Sequence, residues 1–113
     1  MSEPENREAA IMMAYVTASS RAEALTLGRA LVEERLAACA NVFEGATSIY
    51  RWGDKLQEEA EAILILKTRA ELIEALTARL RDLHSYDLPC VVAWRIDGGN
   101  PPYLDWVRAE TVR

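Results

Sequence analysis

The only histidine of the 113-residue chain and one of its two cysteines lie close together, in the stretch HSYDLPC (84–90). A neutral imidazole and a thiolate are both good ligands for soft and borderline metal ions. The other thiol is Cys39, in the stretch AACA. His84, Cys90 and Cys39 are therefore candidate metal ligands, although a four-ligand zinc site within one chain would also need a carboxylate.

Each of these three residues also has a purely structural interpretation. His84 follows a predicted helix, and positive charge is favoured at a helix C-terminus. Cys90 begins the predicted last strand and Cys39 lies at a predicted helix–strand junction, and buried cysteine usually behaves as a small hydrophobe. The stretch 84–90 is then only the turn that leads into the last strand. The residues alone leave both interpretations open.

Signatures of the common enzyme classes are absent from the sequence. It contains no G-x-x-x-x-G-K-[ST], no G-x-G-x-x-G, no G-x-S-x-G and no H-E-x-x-H. A serine or cysteine triad needs a base, and His84 is the only histidine available. We therefore expect a protein that is not an enzyme and needs no obligatory cofactor.

The net charge and the number of cysteines limit which partners and which cellular compartment are expected. A net charge of −5 repels phosphate backbones, so nucleic acid is not an expected partner. No apolar run reaches membrane-spanning length and no secretory leader opens the chain, so no membrane partner is expected either. Two cysteines are too few for a disulfide framework, which predicts free thiols in a reducing cytoplasm.

Apolar runs predict four strands. IMMAYVTA (11–18) and AILILKT (62–68) read as buried strands, and CVVAWRI (90–96) reads as the last one. The β-branched and aromatic stretch 41–57 predicts a long strand, bent at Gly45 and turning through GDK into the next strand.

Capping patterns predict three helices. The S-x-x-E box at Ser20 begins an amphipathic helix over 21–36, and the T-x-x-E box at Thr68 begins a second. Asn100 as N-cap and Pro101 at the first helical position begin a short third helix.

The element order is β-α-β-β-α-β plus a C-terminal helix. This order predicts an α+β, ferredoxin-like sandwich, in which right-handed crossovers place both main helices on one face of an antiparallel sheet. The polar opening MSEPENREAA predicts a disordered N-terminal arm over 1–10, followed by a single domain over 11–113.

The sheet face away from the helices is predicted to be an interface. Successive residues of AILIL point to opposite faces, yet both sets are apolar, so the second set needs a cover such as another copy. Lys67 stands out because it is charged and lies inside an apolar strand. A charge there usually emerges at an edge or meets an anion or carboxylate. Glu58, Glu59 and Glu61 are expected on a solvated turn. Core or subunit interface is expected for five large aromatic residues: Tyr50, Trp52, Trp94, Tyr103 and Trp106.

Several long phrases of the sequence resemble the divalent-cation-tolerance family called CutA. They are VTASSRAEALTLGRALVEERLAACANVFEGATSIYRWGDKL, ILKT, LHSYDLP and GNPPYLDW, and together they run from about Met12 to Arg108. The resemblance implies a homotrimer of ferredoxin-like subunits that join edge to edge through their long strands, with an architecture similar to PII signalling proteins. It also implies copper binding and a role in the response to divalent metal ions. The family has no established enzymatic reaction.

Carried over by position, Cys39 and His84 match residues that are discussed as metal ligands in this family. Four further residues match positions in the family's inter-subunit cleft, where a PII-like signalling or scaffold trimer would bind a small ligand: Lys67, Tyr86, Tyr103 and Trp106.

The chain departs from the family pattern H-P-Y-[ED]-x-P-E at two positions. Ser85 stands where the family usually has proline, and Cys90 stands where it usually has glutamate. Exchanging a carboxylate for a thiol shifts any site towards soft ions such as Cu(I), Zn(II) or Hg(II). Cys90 is therefore the third predicted metal ligand.

Overall fold

The computed structural model describes residues 9–112. Residues 1–8 and 113, and with them most of the predicted arm over 1–10, lie outside the described part. Ala9 and Ala10 do belong to it, and their carbonyls accept hydrogen bonds from Arg108 Nε at 2.7 Å and from the Ala70 N–H at 2.9 Å.

Four strands and three helices alternate in the predicted order. They are β1 (Ile11–Ala18), α1 (Arg21–Glu33), β2 (Cys39–Trp52), β3 (Lys55–Arg69), α2 (Ile73–Leu83), β4 (Val91–Arg95) and α3 (Pro101–Glu110), with a 3₁₀ turn (Ala70–Leu72) before α2.

One four-stranded sheet, in the order β2-β3-β1-β4, carries the fold, and all of its neighbouring strands are antiparallel. This arrangement confirms the predicted ferredoxin-like sandwich. The core lies between the sheet and the pair α1 and α2, because alternate strand residues point to that face. Its fully buried members include Val16, Leu64 and Leu66 from the sheet, with Leu27, Leu31, Leu76 and Leu80 from the helices.

The hairpin β2–β3 is long, with strands of 14 and 15 residues, and the molecule as a whole measures 56 × 24 × 22 Å. Its strands are joined by a two-residue turn in which Gly53 and Asp54 both have positive φ, 58° and 67°. This conformation belongs to the turns that match the twist of paired strands. The predicted bend at Gly45 is confirmed, since this residue has φ 91° and the register shifts between Phe43 and Ala46.

A second, smaller cluster holds α3 on the body. Val107 is fully buried against Ile11 and Ala38. The buried Arg69 side chain donates from Nε and Nη2 to the Arg108 carbonyl, at 3.2 and 3.0 Å, and from Nε to Thr111 Oγ1 at 3.3 Å. No helix within residues 9–112 is both long enough and apolar enough to cross a membrane.

Two sequence-based predictions of local structure are wrong. Thr68 is a buried residue near the end of β3 rather than a cap, and its hydroxyl has no hydrogen-bond partner among the described residues. The helix starts five residues later, at Ile73. Glu58, Glu59 and Glu61 lie within β3 and not in a turn, because the hairpin turns at residues 53–54.

Candidate functional site

Every predicted site residue except His84 lies on or beside the sheet face away from α1 and α2, here called the free face. Odd-numbered residues of β3 point to this face, so Glu61 and Lys67 share it. They are six positions apart, which is about 20 Å along a strand. The free face therefore carries two separate groups of polar residues, one around each of these side chains.

The first group, here called the lysine cluster, consists of Cys39, Asn41, Lys67, Tyr103 and Trp106. Lys67 Nζ lies 3.7 Å from Cys39 Sγ, 3.4 Å from Asn41 Oδ1 and 5.8 Å from the centre of the Tyr103 ring. Cys39 pairs with Lys67 across the two strands. Within residues 9–112 the ammonium group has no carboxylate at salt-bridge distance, so no acid of this part of the chain neutralises its charge.

Two aromatic rings of α3 complete the lysine cluster. Tyr103 and Trp106 stack with their ring centres 5.5 Å apart and an angle of 29°, and both are about 40% exposed. The Tyr103 hydroxyl lies 3.5 Å from Cys39 Sγ, and this contact, together with burial, raises the pKa of the phenol. The group combines an ammonium, a thiol and an exposed aromatic surface, which suits a small planar or anionic ligand.

His84, the C-cap of α2, is fully enclosed by the chain and engages both ring nitrogens. Nε2 lies 2.8 Å from the Thr17 carbonyl, and Nδ1 accepts from the Tyr86 N–H at 3.1 Å. A carbonyl can only accept, so the neutral ring carries its proton on Nε2. No lone pair is left for a metal ion in this arrangement.

Cys90 precedes β4 and is half-buried beside Thr17. Burial and the nearby charge of Glu61 raise the pKa of its thiol, against the opposing effect of hydrogen bonding with Thr17. Because a thiolate is the metal-binding form, these surroundings make Cys90 a poorer ligand at neutral pH than an ordinary cysteine.

The second group lines a concavity of about 690 Å³ that runs along the hairpin β2–β3 to its turn, here called the acidic cavity. Ser48 Oγ donates to Glu61 Oε1 at 2.5 Å, and the Tyr86 hydroxyl donates to Glu61 Oε2 at 2.6 Å. The Tyr50 hydroxyl donates to Glu59 Oε1 at 2.9 Å. Other lining residues are Tyr15, Thr17, Trp52, Gln57, Asp87, Leu88 and Cys90.

The predicted site residues are thus divided. Cys39, Lys67, Tyr103 and Trp106 come together in the lysine cluster, whereas Tyr86 and Cys90 line the acidic cavity and His84 lies behind it. Within residues 9–112 no three side chains of the types His, Cys, Asp or Glu are grouped so that they could hold a metal ion. Four residues of the acidic cavity were not predicted as site residues from the sequence: Ser48, Tyr50, Glu59 and Glu61. The only signal for them is the alternation of residues along β3, which places Glu59 and Glu61 on the same face as Lys67.

Comparison with known proteins gives one consistent result. The sequence profile of the family described as CutA1 divalent ion tolerance protein matches residues 12–110. "Divalent-cation tolerance protein CutA" of Thermus thermophilus is 46% identical over 96 residues, covering 85% of this chain and 93% of that protein. "Protein CutA" of Mus musculus is 42% identical over 101 residues, covering 89% of this chain. The chain spans only 57% of the length of this mouse relative.

Solved structures match as well. The crystal structure of CutA1 from Oryza sativa superimposes with a TM-score of 0.90 at 39% identity, covering 92% of this chain and 95% of that one. The lysine cluster and the acidic cavity both lie within residues 12–110, the part of the chain that the family profile matches.

Proposed function

The chain belongs to the CutA1 divalent ion tolerance protein family, and from this premise we propose that it contributes to the tolerance of divalent metal ions by binding copper or another such ion. The observation that carries the proposal is the half-buried Cys39 thiol on the free face, where a second subunit could bring further ligands. The proposed assembly is a homotrimer in the cytoplasm, and the two free thiols support that compartment.

The ligand set of this proposal depends on the assembly. Within one chain the predicted ligands Cys39, His84 and Cys90 do not form a site, since His84 uses both nitrogens and Cys39 belongs to the other group. We therefore propose Cys39 as the principal ligand, completed by residues of a neighbouring subunit. His84 and Cys90 would contribute only if the stretch 84–90 rearranged.

Anaerobic titration of the untagged protein with Cu(I) tests the ligand set. We expect stoichiometric binding that is lost in Cys39→Ser. The variant Cys90→Ser is the matched control, because it removes the other thiol and leaves the lysine cluster intact. Binding that survives in Cys39→Ser and disappears in Cys90→Ser or His84→Ala would instead locate the metal at 84–90. Binding unaffected by all three changes would refute the proposal.

We propose that the role is not enzymatic. The only histidine bonds to backbone groups through both nitrogens, so it does not act as a base towards Cys39 or any hydroxyl in this arrangement.

A PII-like trimer that binds a small metabolite is the second candidate. The observation that favours it is the un-neutralised Lys67 ammonium beside the stacked Tyr103 and Trp106 rings. A thermal-shift screen with nucleotides and organic acids tests it. A ligand at one hundred times its dissociation constant should stabilise the protein by about 2.7 kcal/mol. The shift should vanish in Lys67→Met, and absence of any shift for the wild type would exclude this candidate.

A further inference from the structure

The free face carries a positive and a negative side chain that are not paired within residues 9–112. Lys67, in the lysine cluster, contacts a thiol, an amide oxygen and the face of an aromatic ring, and no carboxylate of this part of the chain lies at salt-bridge distance from it. Glu61, in the acidic cavity, accepts hydrogen bonds from two hydroxyls and has no cation of the same residues at salt-bridge distance. The two side chains are six positions apart on β3, about 20 Å, so a single copy cannot join them.

A second copy of the chain on the free face would bury both charges. Phe43, Val92 and Trp94 leave apolar surface exposed on this face, and the proposed homotrimer covers it. A charge that enters such an interface without a partner is strongly unfavourable, whereas a complementary pair fixes how the copies are oriented. Lys67 and Glu61 therefore each need a partner of opposite charge from the copy that covers them.

A closed ring of three copies requires two different contact surfaces on each chain. In a two-fold dimer one surface contacts its own equivalent, but in a ring each copy presents one surface to the copy before it and another to the copy after it. The lysine cluster and the acidic cavity meet this requirement. They differ in charge, both belong to the free face, and their separation along β3 allows them to contact different copies.

We propose that the lysine cluster of each copy contacts the acidic cavity of the next copy, so that Lys67 pairs with Glu61 of its neighbour. The two groups are then halves of one composite site, and neither half is complete in a single chain. This inference rests on the proposed homotrimer and specifies which surfaces its copies join. It also gives Lys67 a partner other than the metabolite of the second candidate function.

Hydrogen bonds hold the Glu61 carboxylate in position for this contact. Ser48 Oγ donates to Oε1 at 2.5 Å, and the Tyr86 hydroxyl donates to Oε2 at 2.6 Å. Burial and the bond to Glu61 raise the pKa of Tyr86, so the phenol keeps its proton and remains a donor. Each carboxylate oxygen has two lone pairs, so Glu61 can accept a further hydrogen bond from an ammonium group.

The walls of the acidic cavity suit a lysine side chain. Tyr15, Tyr50, Trp52 and Tyr86 line the concavity of about 690 Å³. The faces of aromatic rings attract an ammonium group, and they also pack against the methylene groups of a lysine stem. The cavity therefore offers Lys67 of a neighbouring copy both an apolar wall and a carboxylate.

Exchange of the two charges in the full chain tests the inference. Lys67→Glu places two acidic groups in the contact and Glu61→Lys places two basic groups there. Each change should raise the dissociation constant of the assembly about a hundredfold, as measured by light scattering during dilution. The double variant Lys67→Glu/Glu61→Lys restores opposite charges at every contact of the ring, so it should recover the wild-type mass. Because the two residues cannot meet within one copy, such a recovery would come from contact between copies.

The matched control is the double variant Lys67→Glu/Glu58→Lys, which has the same net charge as the exchange. Glu58 pairs with Ile49 and points to the opposite face of the sheet, so this variant should stay dissociated. Equal recovery in the control would mean that net charge restores the assembly, and it would overturn the inference. An exchange variant that dissociates as readily as the single variants would overturn it as well.

Neutral substitutions keep the test decisive if circular dichroism shows that a charge reversal unfolds the chain. Lys67→Met and Glu61→Gln should each weaken the assembly about tenfold, because each leaves the opposite charge buried without its partner. Both changes together should weaken it by less than the product of the two effects, and independent effects would contradict the pairing. A wild-type trimer without this coupling would refute the contact alone, whereas a wild-type monomer would refute the homotrimer and the contact with it.

Discussion

Glu23 shows how one partly buried carboxylate can join segments that are distant in sequence. Its Oε1 accepts hydrogen bonds from the Ser19 N–H at 2.9 Å and the Ser19 hydroxyl at 2.7 Å, and its Oε2 accepts from the Ser85 N–H at 2.8 Å. It thereby fixes the start of α1 to the stretch 84–90, which lines the acidic cavity. Burial alone would raise the pKa of Glu23, but the bonds from Ser19 and Ser85 outweigh it and lower the pKa to about 2.

This low pKa predicts a contribution to acid stability. A carboxylate whose pKa is lower in the folded state stabilises fully above its unfolded value, here 4.5, and the contribution disappears as the pH falls towards 2. We expect Glu23→Gln to lower the free energy of unfolding at pH 7 by about 1–3 kcal/mol. The difference from the wild type should narrow between pH 4.5 and 2, as measured by urea unfolding at each pH.

The exposed Glu44 gives the control for this pH experiment. Its contact with Arg21 is solvent-accessible, so Glu44→Gln should change stability by less than about 1 kcal/mol and without the same pH dependence. A difference between Glu23→Gln and the wild type that stays constant from pH 7 to pH 2 would show that the carboxylate's charge is not the cause.

At the scale of the elements, α1 packs on the sheet through a glycine. Gly28 is buried, and a Cβ atom there would lie 3.0 Å from Ala40 Cβ and 3.3 Å from Leu64 Cδ1. Alanine in place of glycine favours a helix by about 1 kcal/mol, whereas overpacking costs about 1–3 kcal/mol. The closest neighbour sits directly on the β2 backbone and has little freedom to move.

We therefore expect Gly28→Ala to destabilise the protein by about 1 kcal/mol. Removing the opposing methyl group in Gly28→Ala/Ala40→Gly should relieve the clash, so the two changes should show favourable coupling in a double-mutant cycle. Thermal or urea unfolding of the four proteins measures it. A gain in stability from Gly28→Ala alone would mean that helix propensity outweighs the close approach.

The elements also show which features a sequence pattern can determine. Ser20 and Thr68 both begin an [ST]-x-x-E pattern, yet only Ser20 caps a helix, where its hydroxyl accepts from the Glu23 N–H. Thr68 pairs with Met12 inside the sheet, so tertiary pairing overrides the local signal there. The strands and the β-α-β-β-α-β order followed from apolar periodicity, which depends only on neighbouring residues.

The acidic cavity could not be predicted in the same way, because it depends on strand register. Before Gly45 the odd-numbered residues of β2, such as Phe43, share the free face with odd-numbered residues of β3; after it the even-numbered Ser48 and Tyr50 do. One extra residue at this bulge thus turns both hydroxyls towards the glutamates. Gly45 indicated a bend but not which side chains the bend would bring together.

At the scale of the whole molecule, the single chain leaves a large apolar area exposed. None of the five aromatic residues predicted for core or interface is buried, which leaves the interface alternative. Val92 and Trp94 of β4 are 53% and 46% exposed on the free face, and Phe43 of β2 is 54% exposed there. Soluble single chains rarely expose apolar surface of this extent.

We expect the protein to form a homotrimer in solution through the free face. Light scattering coupled to size exclusion should give about three times the chain mass of 12.7 kDa. A charge buried in such an interface without a partner costs several kcal/mol, so Trp94→Glu or Val92→Glu should shift the mass towards that of the monomer. The matched control is Val32→Glu, because Val32 is an exposed apolar residue of α1 on the other side of the sheet. Two results would show that the free face is not the contact: a wild-type monomer, or a trimer that survives the β4 changes but not Val32→Glu. Either result would also leave Cys39 without the neighbouring ligands that the metal proposal requires.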